Sequence, residues 1–190
     1  MDSSTVASTV AVVRGLVWKS YHSSVRIHVD GRPAVAAWSV TSIVTVAGWM
    51  AGGGNWVGVH SAADTEYNWP FYGELVGAYF KQHPAIQPAT VNVEVADHPA
   101  TAGLPSPWMR TDEWYDFQTN PRATTTVLMT IDESTYTGGT MGADHPLVWT
   151  HATTGGGRAI YTEMGHTAES YADPLFRGHL AGAIRWAAGQ

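Results

Sequence analysis

The sequence predicts an α/β protein whose mostly parallel sheet is covered by helices on both faces. The chain has 190 residues, a length that favours one globular domain. Residues 49–190 alternate between short apolar runs, typical of buried strands, and amphipathic runs, typical of helices. Glycine triplets and prolines separate these runs and indicate the turns between them.

The predicted elements follow one another along this region. The predicted strands span residues 55–60, 90–95, 125–131 and 158–164. A helix opens at Pro70 after the first strand, with Leu75, Val76, Tyr79 and Phe80 on its inner face. The last helix is capped by Asp173, begins with Pro174 and stops at Gly189. Its apolar stripe comprises Leu175, Phe176, His179, Leu180, Ala183, Ile184 and Ala187.

The first part of the chain differs in character. Residues 1–48 carry a net positive charge, although the whole chain has a net charge of −6. Within them, Val25–Gly31 alternates and ends in an Asp-Gly pair, which predicts part of a hairpin. We therefore divide the chain into an atypical segment, 1–46, and a domain, 47–190.

The composition excludes several classes of function. The chain has no cysteine, so disulfides, thiolate metal sites and cysteine nucleophiles are ruled out. The net negative charge argues against a nucleic-acid-binding protein, which needs a basic face. Nine tryptophans and eight tyrosines fit a carbohydrate-facing site, and they fit a core of large side chains equally well.

The N-terminus carries Asp2 and no basic region before an apolar run, so we expect no secretory signal and a cytoplasmic protein. Residues 33–63 contain no formally charged side chain, a length that raises the alternative of a membrane span. Hydroxyl side chains and the triplet Gly52–Gly54 interrupt this stretch. A buried strand or helix that leads into a glycine turn is therefore favoured.

Polar side chains cluster after predicted strands, where ligands gather in open α/β sheets. His60 lies between small residues at a strand-to-turn junction, an arrangement that exposes the central side chain at the sheet edge. His166 follows the strand at 158–164, and Glu113 follows Arg110 and Asp112. Because imidazoles titrate near neutrality, His60 and His166 are predicted to act as acid and base, or to hold a divalent metal together with Glu113 or Asp64. Glu113 is also a candidate catalytic residue.

The other polar residues of these segments are candidates for binding substrate. They are Ser61, Asp64, Glu66, Tyr67, Asp112, Trp114, Asp144 and His145. Asp144 and His145 end a glycine-rich segment, 138–146, which predicts a loop that could bring them to the site. Five other histidines, His22, His28, His83, His151 and His179, are interpreted as structural, and His98 as part of a turn.

The motifs together closely resemble the ThuA-like (trehalose utilisation) domain family. The resemblance covers roughly residues 47–190. It rests on Gly52–Ala62, Asp64–Tyr67, Tyr72–Gly77, Asp97–Pro99, Asp112–Tyr115, Gly142–Pro146, Gly165–Thr167 and Leu180–Ala187. Residues 1–46 show no such match and are expected to be a truncated, replaced or frame-shifted N-terminus that lacks strands of the family sheet.

The resemblance implies a flavodoxin-like, class I glutamine amidotransferase-like three-layer sandwich. In amidotransferases of this fold a cysteine lies where His60 lies here, so a thioester glutaminase is excluded. The family implies a role with trehalose or related keto-disaccharides. We therefore expect a small carbohydrate as partner, an enzyme such as a sugar isomerase or hydrolase, and a monomer or homo-oligomer. A non-catalytic carbohydrate-binding module and an inactive fragment remain alternatives.

Overall fold

The computed structural model describes residues 47–190 and, before them, the backbone of three short strands. These strands are β1 (Thr9–Val13), β2 (His28–Val29) and β3 (Arg32–Pro33). β2 and β3 pair antiparallel on either side of residues 30 and 31, which agrees with the hairpin prediction there. Residues 25–27, 30 and 31 of the predicted hairpin lie outside the described residues.

The described elements after residue 46 begin with helical residues 47–51. The strands are β4 (Asn55–Val59), β5 (Phe80–Gln82), β6 (Gln87–Val93), β7 (Trp108–Asp112), β8 (Asp116–Phe117), β9 (Thr126–Asp132), β10 (Pro146–Ala152) and β11 (Arg158–Thr162). The helices are α1 (Pro70–Val76), α2 (Ala168–Ala172) and α3 (Pro174–Ala187). Short 3-10 turns span His60–Ala63, Pro121–Ala123 and Glu133–Thr135.

Seven strands form one sheet in the order β1-β4-β11-β10-β9-β6-β7. β4 and β11 are parallel, with Gly58 opposite Tyr161, and every other neighbouring pair in this sheet is antiparallel. β5 and β8 form a separate antiparallel pair. An α/β fold is confirmed, with β4 and β11 side by side inside the sheet.

The prediction of a mostly parallel sheet is wrong, and the flavodoxin-like three-layer sandwich is not confirmed. β7 and β10, which were not predicted, take part in three of the five antiparallel pairs. The other two pairs are β1 with β4 and β6 with β9. β10 lies between β9 and β11, and residues 153–157 alone connect it to β11. Parallel strands need a crossover of a dozen or more residues, so this short connection requires antiparallel pairing.

Hydrophobic side chains lie on both faces of the sheet. Along β4, Trp56 belongs to one cluster and Val57 to the other, because successive side chains of a strand point to opposite faces. α1 packs Leu75 and Val76 into the first cluster. α3 packs Phe176 into the second. The site described below lies where β4 and β11 emerge from between these layers.

The ends of the two longer helices show which local signals were reliable. α3 begins as predicted, since Pro174 is its first residue and the Asp173 carboxylate accepts the Leu175 N–H at 2.9 Å. Leu175 and Ile184, predicted in its buried stripe, are 41% and 42% exposed.

α1 stops earlier than predicted, at Val76. Gly77 follows it with φ +88°, a left-handed conformation that ends the helix. The Trp149 indole then donates to the Val76 carbonyl at 2.8 Å. Tyr79 and Phe80 therefore lie beyond the helix, and Phe80 begins β5. Among the described residues, no helix is long and apolar enough to cross a membrane; part of the uncharged stretch, 34–46, lies outside them.

Candidate functional site

His60 comes directly after β4, at a sharp change of backbone direction. Its φ is +49°, an uncommon conformation for a residue with a side chain, and it opens a 3-10 turn. The Tyr161 hydroxyl donates to its carbonyl at 2.6 Å, and its own Nδ1–H donates to the Glu163 carbonyl at 2.6 Å. The hydrogen on Nδ1 leaves a lone pair on Nε2 of the neutral ring.

Three side chains meet at this Nε2. It lies 3.1 Å from Glu113 Oε2 and 3.0 Å from His166 Nδ1. His166 Nδ1 in turn lies 3.0 Å from the same carboxylate oxygen. The exposed fraction of the side chain rises from 4% for His60 to 10% for Glu113 and 26% for His166. The cluster is therefore buried on the His60 side and open to solvent on the His166 side.

A carboxylate holds the two later segments together. Asp112 ends β7 and is completely buried. Its oxygens accept the backbone N–H groups of Gly165 and His166, both at 2.9 Å, and the Ser170 hydroxyl at 2.7 Å. Glu113, the next residue, is thereby brought beside His166.

The pKa values of the cluster shift towards an ionised pair. Burial alone would raise the pKa of Glu113, yet the two neighbouring imidazoles, that of His166 foremost, lower it to about 2. The hydrogen bond to Glu113 raises the pKa of His166, although burial opposes this shift. A proton on His166 Nδ1 therefore faces two acceptors, the carboxylate of Glu113 and the lone pair of His60.

Glu163 was not predicted as part of this site. It lies behind His60 and is completely buried. Its Oε1 accepts the Tyr115 N–H at 3.0 Å and lies 3.8 Å from His60 Nδ1, whereas Oε2 is buried with no hydrogen-bond partner among the described residues. Burial, with the nearby charge of Asp112, raises the pKa of Glu163 well above its usual value and so favours its neutral form. Its position one residue after β11, two before Gly165, was the available signal.

His83 was the second residue missed, because it was interpreted as structural. It follows β5, and its Nδ1 lies 3.2 Å from Glu113 Oε1, the oxygen that faces away from His60 and His166. Its side chain is 40% exposed. No local motif indicates this position, since the β5–β8 pairing alone brings it to Glu113.

Asp64 and Tyr67 lie beside a series of aromatic rings that leads to His60. Both are exposed, and the Tyr67 hydroxyl donates to an Asp64 carboxylate oxygen. The Tyr67 ring, 44% exposed, lies 5.1 Å from that of Tyr79. The Tyr67 hydroxyl also approaches the carbonyl of Phe80 at 3.4 Å. The rings of Tyr67, Tyr79 and Phe80 form an aromatic surface that extends towards the site. The Phe80 ring lies 4.3 Å from that of Tyr115, and the Tyr115 ring lies 4.2 Å from that of His60.

Ser61 and Glu66 flank this surface. Ser61 follows His60 within the 3-10 turn and is half-buried. Glu66 has a φ of +56°, and its carbonyl accepts the Tyr79 hydroxyl at 2.9 Å.

Four predicted substrate-binding residues lie away from the cluster or are engaged in contacts within the protein. The Asp112 carboxylate is completely buried and used by backbone groups, as described above. Trp114 is completely buried in the second hydrophobic cluster, and its indole donates to the Gln87 carbonyl, so stacking on a sugar does not fit its position. Asp144 pairs with Arg122 at 2.6 Å on the surface. His145 is completely buried and contacts Glu133 at 2.8 Å.

His145 belongs to a second group of potential metal ligands, with Asp116 and Glu133. This group is already satisfied internally. Asp116 accepts the Thr140 N–H and hydroxyl, and His145 Nε2 donates to the Tyr115 carbonyl at 2.9 Å. We interpret it as the anchor of the glycine-rich segment, 138–142.

The donor set of His60, Glu113 and His166 suits a divalent metal ion. Ligand atoms about 2.1 Å from a first-row metal lie about 3.0–3.4 Å from one another in octahedral or tetrahedral geometry. The three observed separations, 3.0–3.1 Å, match this spacing. Two imidazoles and one carboxylate on one side leave further coordination positions open, as catalytic sites require. The Nδ1–H of His60 bound to the Glu163 carbonyl is the usual support of a metal-binding imidazole.

The solved structures that are similar to this chain include two ThuA-like proteins. One is a ThuA-like protein from Bacteroides uniformis ATCC 8492, with 29% identity and a TM-score of 0.66 over 78% of this chain and 64% of that one. The other is a ThuA-like protein from Parabacteroides merdae ATCC 43184, with 21% identity and a TM-score of 0.66 over 82% and 68%. The chain thus spans just under two thirds of the first structure. No curated protein matches.

The family model described as ThuA, trehalose utilisation, matches residues 33–187. This range includes every member of the His60–Glu113–His166 cluster, and it begins within the segment that we separated as 1–46. The chain therefore belongs to the ThuA family.

Proposed function

We propose that the protein converts a carbohydrate, trehalose or a related keto-disaccharide, by isomerisation or hydrolysis at the His60–Glu113–His166 cluster with the help of a divalent metal ion. One observation carries this proposal: three potential ligand atoms lie within 3.1 Å of one another at a site that is open to solvent on the His166 side. Membership of a family described by trehalose utilisation supports the substrate class.

Each residue of the cluster has a role in this proposal. His60 and His166 would hold the ion through Nε2 and Nδ1, and Glu113 through Oε2. A bound divalent ion polarises a carbonyl or hydroxyl oxygen and acidifies bound water. His60 is the fixed ligand, because hydrogen bonds hold its Nδ1 and its carbonyl. His166 is the ligand on the open side, where substrate enters. Its Nδ1 is also the atom that holds a proton when no ion is bound.

The aromatic surface beside the cluster supports a sugar as substrate. Tyr67 presents an exposed ring, and Asp64 presents a carboxylate that grips hydroxyl groups. Sugar rings have apolar faces and polar edges, which match this combination. Asp64 and Tyr67 therefore remain proposed sugar contacts, whereas Trp114 does not.

The experiment combines elemental analysis with a substrate screen. Wild type, His60→Ala, His166→Ala and Glu113→Gln are incubated with Zn²⁺, Mn²⁺ or Fe²⁺, desalted and analysed for metal. Keto-disaccharide conversion is then followed by mass spectrometry. We expect about one metal ion per wild-type chain and none in the two alanine variants. Turnover in these two variants should fall by at least about a hundredfold. Lys81→Ala, which changes an exposed residue of β5, is the matched control.

Three results would contradict parts of the proposal. Turnover that persists without metal in wild type, and falls in the histidine variants, would favour acid–base catalysis by His60 and His166 themselves. Saturable sugar binding without any product would favour a binding module. Turnover that survives in His60→Ala combined with His166→Ala would remove this site altogether.

A further inference from the structure

His83 approaches the metal-ligand cluster from a separate element. It follows β5, which pairs with β8 and not with the main sheet. Its Nδ1 lies 2.8 Å from the Pro84 carbonyl and 3.2 Å from Glu113 Oε1. Both neighbours are hydrogen-bond acceptors, so Nδ1 must carry its hydrogen. This N–H donates to the Pro84 carbonyl, and Glu113 Oε1 lies beside it.

The two oxygens of Glu113 therefore have different surroundings. Oε2 faces His60 and His166, whereas Oε1 faces the N–H of His83. A carboxylate with both oxygens unoccupied can bind a metal ion through one oxygen or through both. An N–H beside Oε1 stabilises that oxygen away from the ion and leaves Oε2 as the single ligand atom.

Aromatic contacts hold the His83 ring in this position. It lies 5.8 Å from the ring of Phe80 and 5.9 Å from that of Tyr115, between ring centroids. Tyr115 also contacts His60, at 4.2 Å. The ring of His83 is thus oriented by packing, and its N–H position follows from that orientation.

We propose that His83 is a positioning residue that keeps Glu113 a one-oxygen metal ligand and thereby keeps a coordination position open for substrate. This inference rests on the proposed function, because it requires a metal ion at His60, Glu113 and His166. Partners of metal ligands that lie outside the coordination sphere commonly change metal affinity by about 10–100-fold when they are removed.

The experiment compares wild type, His83→Phe and His83→Asn in the full chain. Phenylalanine keeps an aromatic ring between Phe80 and Tyr115 but removes the N–H, whereas asparagine retains a side-chain N–H donor. Zn²⁺ affinity is measured by competition with a chromophoric chelator, and Co²⁺ is added to record the visible absorption spectrum. Thermal unfolding of the metal-free proteins reports any general loss of structure. Lys81→Ala, which changes an exposed residue of the preceding strand β5, is the control.

We expect His83→Phe to weaken Zn²⁺ binding about 10-fold or more and to lower the Co²⁺ absorption intensity, as an added carboxylate oxygen raises the coordination number. His83→Asn should recover much of both properties, and the metal-free melting temperatures should stay similar. Equal affinity and equal spectra in wild type and His83→Phe would overturn the inference alone. A wild-type protein that binds neither ion would overturn the proposed metal site and, with it, this role of His83.

Discussion

Nε2 of His60 lies 3.0 Å from Nδ1 of His166, although the two residues are 106 positions apart in the chain. The parallel pairing of β4 with β11 explains this proximity, since parallel strands bring their carboxyl ends to the same edge of the sheet. The site thus depends on the backbone that follows each strand, and the first two predictions concern that backbone.

Replacing Asp112 with asparagine should destabilise the protein by about 2–5 kcal/mol. The buried carboxylate accepts hydrogen bonds from the N–H groups of Gly165 and His166 and from the Ser170 hydroxyl. An amide would turn its NH₂ group towards some of these donors. Urea unfolding measures the change, and metal affinity should fall with it. Asp132→Asn is the matched control, because asparagine caps a 3-10 turn about as well as aspartate. Equal losses in both variants would contradict the role of Asp112.

Replacing Gly165 with alanine should cost about 1–3 kcal/mol and displace His166. Gly165 has φ +111°, and an added Cβ would lie 3.0–3.1 Å from Phe176, Tyr171 and Val59. Gly178→Ala is the matched control within α3. It should stabilise the protein by about 0.5–1 kcal/mol, because its Cβ meets no atom within 4 Å and alanine favours helix. Urea unfolding of both variants measures these changes. The free energy of unfolding should fall in Gly165→Ala and rise in Gly178→Ala, and changes of the same sign would contradict the prediction.

Removing the exposed ring of Tyr67 should weaken sugar binding by about tenfold, which equals about 1.4 kcal/mol. Tyr67→Phe keeps the ring and loses only the hydrogen bond to Asp64, so its affinity should fall less. Calorimetric titration with the sugar found in the substrate screen measures both variants. Met109→Ala removes another exposed apolar side chain, 66% exposed, and should change nothing. An unchanged affinity in Tyr67→Ala would rule out stacking at this position.

The stability of the metal-free protein should fall with acid partly because of His179. Burial lowers the pKa of His179 to about 4, and its Nδ1–H donates to the Ala100 carbonyl at 2.7 Å. His179 is protonated near pH 6.5 in the unfolded chain but only near pH 4 in the folded protein. Its contribution to the free energy of unfolding is therefore fully present above pH 6.5 and is lost as the pH falls towards 4. The loss amounts to about 2–3 kcal/mol at pH 4.5.

His179→Gln removes the titrating group and retains a side-chain N–H. Urea unfolding at pH 7 and pH 4.5, with a chelator present, should show a smaller drop in unfolding free energy for the variant than for wild type. A drop of the same size in both proteins would show that His179 is not the group responsible.

Local signals predicted individual elements well, and the sheet topology poorly. Asp173 and Pro174 fix the start of α3 through contacts within one turn of helix, which the sequence displays directly. β7 contains Arg110 and Asp112, whose burial depends on partners far along the chain. The pattern of a single sequence does not show such partners. β7 was therefore not predicted, and neither was its antiparallel pairing with β6.

The same distinction applies to the site. His60 and His166 were predicted together because both follow strands, and the structure does place them in contact. His83 and Glu163 could not be assigned in this way, since pairing of β5 with β8 and burial behind His60 bring them there. Trp114 follows a strand as well, yet it points into the core. Position after a strand therefore indicates nearness to the site, and the face of each side chain needs the structure.

The proposed metal ligands are far apart along the chain, and this has a consequence for synthesis of the protein. Ribosomes release a chain from its N-terminus, so His60 and Glu113 emerge well before His166. The pair that emerges first exposes an ionised carboxylate with one imidazole, which holds transition ions weakly. Full metal capture should therefore wait until translation has passed β11, and stalled nascent chains ending before Gly165 should take up little zinc.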